Sequence, residues 1–169
     1  MSMRPLRLFL VRHGEAMANV EMRYLGHRDD PLSAHGANQA AQLSHALAPL
    51  PISAIITSPL RRAADTAAII AEAHQVPVQV DERLREGGFG EWEGLSRAEV
   101  LARSPRDKLL LTNWEGDPGV APPGGESLQV VQARSVALVQ EAAAVYAGQW
   151  IVVVSHVGPI KALLCATMQ

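Results

Sequence analysis

Cysteine is almost absent from this chain of 169 residues, since Cys165 stands alone. That excludes an intramolecular disulfide framework and a thiolate metal site of the zinc-finger kind. The single thiol reads as a small buried hydrophobe near the C-terminus. An excess of one charge is missing too: 15 Lys and Arg face 17 Asp and Glu, scattered without a basic stripe or an acidic tail. Nucleic acid and a membrane surface are therefore not expected partners. Long apolar runs are lacking. The one between Arg4 and Arg7 and the first polar turn is too short for a signal-peptide core, and no segment approaches membrane-spanning length. Internal repeats and low-complexity tracts are absent as well. A soluble, cytoplasmic protein with one domain over 1–169, large enough to bury a core without staples, is the expectation.

What is present is organised around Leu6 to Asn19. Its first half is a six-residue apolar run, which fits a buried strand better than a helix. Arg12, His13, Gly14 and Glu15 follow where such a strand would leave its sheet, and in open α/β sheets ligands bind at that carboxyl edge.

Glu21 to Leu32 then reads as irregular, with Gly26, Asp29, Asp30 and Pro31 as turn residues. Ser33 is placed to cap a helix through Ala40, Leu43, Leu47 and Leu50, ended by Pro49 and Pro51. Ile52 to Thr57 is a second strand. Ser58 and Pro59 read as the cap and first residue of a helix to His74, with Ala63, Ala67, Ile70 and Ala71 on one face and Arg62 in its first turn. A third strand spans Val76 to Val80.

Beyond the Gly-rich stretch Leu84 to Gly94, a short helix is expected from Ser96 to Arg103. Ser104 to Gly125, rich in Pro and Gly, reads as a long irregular lid or binding segment. Trp92 and Trp114, in this loop-rich part, suit either a pocket wall or packing. A long helix from Glu126 to Ala147 follows, with Leu128, Val131, Ser135, Leu138, Ala142 and Val145 on one face. Glu126 and Ser127 read as its capped start. Trp150 to Val154 is the strongest buried-strand signal. It releases Ser155, His156, Val157 and Gly158, and Pro159 opens a final helix. Alternation of strands and helices predicts an α/β fold with a largely parallel sheet.

Two strand ends thus each release a histidine, and an arginine starts a helix. A phosphoryl group placed among them would be gripped in bidentate fashion by Arg12 and Arg62. Helix N-termini after Gly14 and Pro59 would add backbone N–H groups. A neutral His13 would attack phosphorus in line, giving a phosphohistidine, and His156 would donate to the equatorial oxygens. Glu86, between Leu84 and two glycines, is the candidate acid for the leaving alkoxide and then the base for water, with Glu91 and Glu93 close by in sequence as the alternatives. Arginines and histidines supply the positive field, so no metal and no cofactor are expected. Glu15 reads as a structural acceptor beside the nucleophile, Arg61 as a solvated neighbour of Arg62, and His27, His35, His45 and His74 as surface or capping residues.

These motifs resemble the histidine phosphatase superfamily in its phosphoglycerate-mutase-like branch. The resemblance lies in Arg12-His13-Gly14-Glu15 with Asn19, Leu25-Gly26 before Pro31-Leu32-Ser33, Thr57 to Ala63, Leu84-Arg85-Glu86, Phe89 to Gly94, Gly124 to Ser127 and Val154-Ser155-His156. It implies a three-layer α/β/α sandwich, phosphohistidine chemistry on His13, and a pocket of Arg12, Arg62 and His156. Glu86 would be the proton donor, and Asn19, Leu25, Gly26 and Val157 substrate contacts. The segment 87–125 would shape substrate choice.

Two departures from the family pattern stand out. Val157 occupies the place where relatives often have a second Gly after the second histidine, and relatives usually continue past the final helix into another strand. A truncated family fold, or a sheet edge finished by a partner as in a homodimer, is one expectation from this. The segment holding Arg97, Arg103, Arg106 and Lys108 lacks the paired arginines of the mutases. Hydrolysis of a phosphorylated small molecule is therefore expected, with a cofactor-dependent phosphoglycerate mutase and a weakly catalytic phosphate-binding module as the alternatives.

Overall fold

The computed structural model describes residues 5–17 and 21–167. Four strands, β1 (Arg7–Arg12), β2 (Ile52–Thr57), β3 (Val78–Val80) and β4 (Trp150–Ser155), form one parallel sheet in the order β1-β4-β2-β3. The most apolar strand, β4, is central, because a strand flanked by others and covered on both faces must be apolar throughout. Ile151, Val152, Val153 and Val154 are all fully buried, and each such side chain stabilises the fold by roughly 1.5–3 kcal/mol.

Among the described residues there are six α-helices: α1 (Ala34–Leu47), α2 (Arg61–His74), α3 (Arg97–Arg103), α4 (Pro105–Gly116), α5 (Leu128–Val145) and α6 (Val157–Thr167). Leu47, Ala63, Ala67 and Ile70 of α1 and α2 pack with Val11, Ile55, Val152 and Val154 on one face of the sheet. Leu138 and Ala142 of α5 pack with Ala54, Ile56, Ile151 and Val153 on the other. The expected three-layer α/β/α sandwich is thus present. A separate cluster of Trp92, Val100 and Leu111, with Tyr24, Phe89 and Trp114 around it, gives the segment beside the sheet its own small core.

Several local expectations are corrected. Ser104 to Gly125 is not irregular throughout, since α4 fills half of it. Pro105 opens that helix at its first turn instead of breaking it, and the Ser104 side chain accepts from the Asp107 N–H. Only Leu111 among its apolar residues is buried, so no periodic stripe marks it in the sequence. Strand β3 begins at Val78, and α6 begins at Val157, two residues before Pro159. Ser127 caps α5 as expected, but Glu126 lies outside that helix and Val145 is exposed. Cys165 is exposed, because α6 buries Pro159, Ala162 and Leu163 and turns the thiol away from that face. Among the described residues no helix is long and apolar enough to cross a membrane.

Candidate active site

Parallel pairing explains how residues far apart in sequence meet. Arg12 of β1 lies opposite Ser155 of β4, and the His13 N–H donates to the Ser155 carbonyl at 3.0 Å. The next residue of each strand is therefore a histidine, and the rings of His13 and His156 stand 4.9 Å apart, centre to centre. Strand β2 lies on the other side of β4, where the Ser58 N–H donates to the Val154 carbonyl. Ser58, which the sequence suggested as a helix cap, is fully buried with its hydroxyl 2.8 Å from His156 Nε2.

Helix α2 starts at Arg61, whose N–H is capped by the Asp29 carboxylate at 2.6 Å. That N–H is already taken, which corrects the expectation that this helix end offers its first donors to an anion. After Gly14 the backbone is irregular through Glu15, Ala16 bridges to Leu32, and a 3-10 turn opens at Met17. Gly14 is required for a different reason. A side chain there would strike the backbone of Gly36 at the start of α1, and the Gly14 N–H donates to the buried Thr66 hydroxyl. Thr66 in turn donates to the Arg62 carbonyl one turn back, so α2 fixes both the loop after His13 and Arg62. Glu15 plays the structural part expected of it, accepting from the Ser33 hydroxyl at 2.7 Å.

The Arg62 guanidinium is 1% exposed and fully engaged in direction. Its Nη1 donates to the Arg28 carbonyl at 2.6 Å, its Nη2 to the Gly26 carbonyl at 2.9 Å, and its Nε to His13 Nε2 at 3.3 Å. The simple picture of a free fork awaiting an anion is corrected. Two prongs hold the loop that carries Leu25 and Gly26, although each terminal nitrogen keeps one further N–H. Arg61 is the solvated neighbour, set beside Asp65.

His13 Nδ1 lies 2.6 Å from the Gly14 carbonyl. A carbonyl can only accept, so Nδ1 carries the proton and the lone pair is on Nε2. Burial, followed by the charges of Arg62 and Arg12, lowers the His13 pKa to about 4, against the opposing pull of the Gly14 carbonyl. The ring is neutral at pH 7. This has a consequence for stability. Above pH 6.5 the ring is neutral in both native and unfolded chains; between 6.5 and about 4 the unfolded chain binds a proton that the native chain does not. Stability therefore falls with acidification across that window, by at most roughly 3 kcal/mol from this group. His156, lowered well below its ordinary value mainly by burial, acts the same way, and Glu86, raised by burial, acts oppositely. In urea unfolding at pH 7 and pH 4.5, His13→Asn is expected to lose less stability than the wild type; equal losses would contradict the assignment.

Glu86 reaches the site from the loop after β3. Its Oε1 accepts from the N–H of Gly87 and, at 3.0 Å, from the N–H of Gly158 at the start of α6. A side chain at Gly158 would collide with that oxygen, so the glycine one place later than the family pattern is what admits Glu86. Burial raises its pKa more than those N–H groups and the charges of Arg62 and Arg134 lower it. With Oε1 occupied by donors, Oε2 is left to carry a proton.

A cavity of about 140 Å3 is lined by Arg12, His13, Arg62, Glu86 and Val157, with Leu25 and Gly26 on one wall and Tyr24 and Phe89 at another. A larger one, about 500 Å3, is lined by His13 and residues of α1; it lacks Glu86 and Arg62, so only the smaller one of the two brings the expected site residues together. Of the residues expected at the site, Arg12, His13, Leu25, Gly26, Arg62, Glu86 and Val157 line the smaller cavity. His156 is fully buried behind them, and Asn19 lies outside the described residues.

Three contributors escape sequence inspection. Arg134 of α5 donates to the carbonyls of Arg83, Arg85 and Glu86 and pairs with Glu126. Glu126 also accepts from Gly88 N–H, and His27 Nε2 donates to the Glu86 carbonyl at 2.9 Å. Together they clamp the backbone that carries Glu86. The only sequence signal was an arginine one residue from the apolar stripe of α5. Trp92 is fully buried and donates to Asp107, so of its two roles packing is the one realised.

A model of the histidine phosphatase superfamily (branch 1) matches residues 8–169. A bifunctional protein of Mycobacterium tuberculosis is 40% identical over 161 residues, which cover 95% of this chain and 43% of that protein. Glucosyl-3-phosphoglycerate phosphatase of the same species is 39% identical, covering 99% of this chain and 77% of its own. The chain thus spans less than half the length of the first curated relatives it matches. Among solved structures, Bacillus stearothermophilus YhfR aligns with a TM-score of 0.90 at 34% identity, over 96% of this chain and 80% of that one.

Proposed function

Because the chain belongs to the histidine phosphatase superfamily, we propose that it hydrolyses phosphate monoesters of small metabolites through a phosphohistidine on His13. The observation that carries this is a neutral His13, its Nδ1 proton committed to the Gly14 carbonyl, with Nε2 in a cavity shared by Arg12, Arg62 and Glu86. The Nε2 lone pair attacks phosphorus as the ester P–O bond breaks. That lone pair must first be freed from Arg62, whose Nε–H turns its hydrogen bond to a phosphoryl oxygen and keeps its proton as charge moves onto that oxygen. The departing alkoxide takes the proton of Glu86 Oε2. Glu86, now ionised and stabilised by two backbone N–H groups, removes a proton from water, which displaces His13 from phosphorus and restores the neutral ring.

Hydrolysis is favoured over mutase chemistry because two of the four cations named in the specificity segment, Arg97 and Arg103, are held by Glu115 and Glu91. The cytoplasmic setting follows from the substrate class, as charged phosphate esters do not cross a bilayer unaided.

The test is turnover of an aryl phosphate with and without chelator, plus quenching to trap phosphoenzyme. Hydrolysis indifferent to chelator, with an acid-labile and alkali-stable phosphoenzyme, is expected. Saturable phosphate binding without turnover would mark a binding module instead, and phosphoryl transfer to a second hydroxyl of phosphoglycerate a mutase.

A further inference from the structure

We propose that Ser58 is a positioning residue that holds His156 in its Nδ1–H tautomer, so that this nitrogen donates to the transferring phosphoryl group. The proposal rests on the phosphatase reading for its purpose, but not for its geometry.

Two contacts fix the proton. Ser58 Oγ accepts from the Leu60 N–H at 3.3 Å, which occupies one of its lone pairs. The same oxygen lies 2.8 Å from His156 Nε2. Among the described residues no other acceptor lies within hydrogen-bond reach of the hydroxyl, and a buried hydroxyl that gives its proton to nothing is costly. The hydroxyl proton therefore goes to Nε2, and a neutral ring that accepts at Nε2 carries its own proton on Nδ1. His156 Nδ1 is buried and has no partner. An orphan N–H beside the nucleophile ring, 4.9 Å away, wants an acceptor, and a phosphoryl oxygen on His13 is one. Reversal of the tautomer would turn a lone pair toward the same oxygen and repel it.

Local structure supports a fixed hydroxyl. Ser58 follows β2 directly and its N–H is tied to β4 through the Val154 carbonyl, so serine and histidine are set by two hydrogen-bonded strand ends. The residue acts through His156 and need not touch substrate.

The experiment uses protein labelled with 15N histidine and spectra that correlate ring nitrogens with ring protons, His156 being assigned by its loss in His156→Gln. In the free wild type, His156 is expected to be protonated at Nδ1, and that proton is expected to shift when vanadate or phosphate is added. Ser58→Ala is expected to lose the fixed tautomer and to lower kcat for an aryl phosphate by roughly 10- to 100-fold, with KM changed far less. Ser58→Thr, which keeps the hydroxyl, is expected to restore both. Protonation at Nε2 in the wild type would overturn the proposal even if Ser58→Ala failed to fold, and so would a Ser58→Ala protein with the tautomer and kcat of the wild type. Because the spectrum is read without substrate, an inactive protein with the expected tautomer would sink the phosphatase reading and leave the hydrogen-bond assignment standing.

Discussion

Replacing His13 by alanine is expected to lower kcat for any phosphomonoester by roughly 10,000-fold or more and to abolish the trapped phosphoenzyme. The size follows from what is removed. The imidazole presents an uncharged Nε2 to the cavity, with its other nitrogen satisfied by Gly14. Without it a single displacement by water would have to do what two easier displacements do now. Phosphate and vanadate binding are expected to survive, since Arg12 and Arg62 remain. Single-turnover measurements with acid and alkaline quenches check both points. A phosphoenzyme that persists in His13→Ala would move the nucleophile elsewhere.

Arg62→Lys is expected to be nearly as damaging, although the charge is kept. An ammonium is a point donor and cannot reach the Gly26 carbonyl, the Arg28 carbonyl and His13 Nε2 in one plane as the guanidinium does. At least one carbonyl is left unmatched, which costs about 1–3 kcal/mol of stability where it is buried. Arginines that stabilise a transferring phosphoryl group contribute about 1,000-fold or more to kcat, and a loss of that order is expected. Arg61→Lys is the control: its side chain is exposed beside Asp65, and neither kcat nor the urea midpoint should move beyond error. A kcat loss in Arg62→Lys no larger than in the control would show that the fork serves the Gly26 to Arg28 loop alone.

The sequence by itself determined the layers and most of the residues that meet at the candidate site. Short apolar runs made β1, β2 and β4, and helical spacing placed Ala63, Ala67 and Ile70 against the sheet. The residues after Val11 and Val154 were legible as strand-end chemistry because a break from apolar to polar is a local signal. Pro105 misled, since one residue type both ends helices and opens them, and α4 buries too little to show a period. Cys165 misled because a helix of mostly apolar composition does not say which side faces water.

Tertiary structure decided who meets whom. Strand order puts β4 between β1 and β2, and only that order brings His156 beside both His13 and Ser58. It decided that Asp29, 32 residues away, caps α2 in place of Ser58, and that Arg134 grips the carbonyls beneath Glu86. Such partners leave no trace in spacing, because a hydrogen bond to a backbone carbonyl depends on where the carbonyl points and not on which residue bears it.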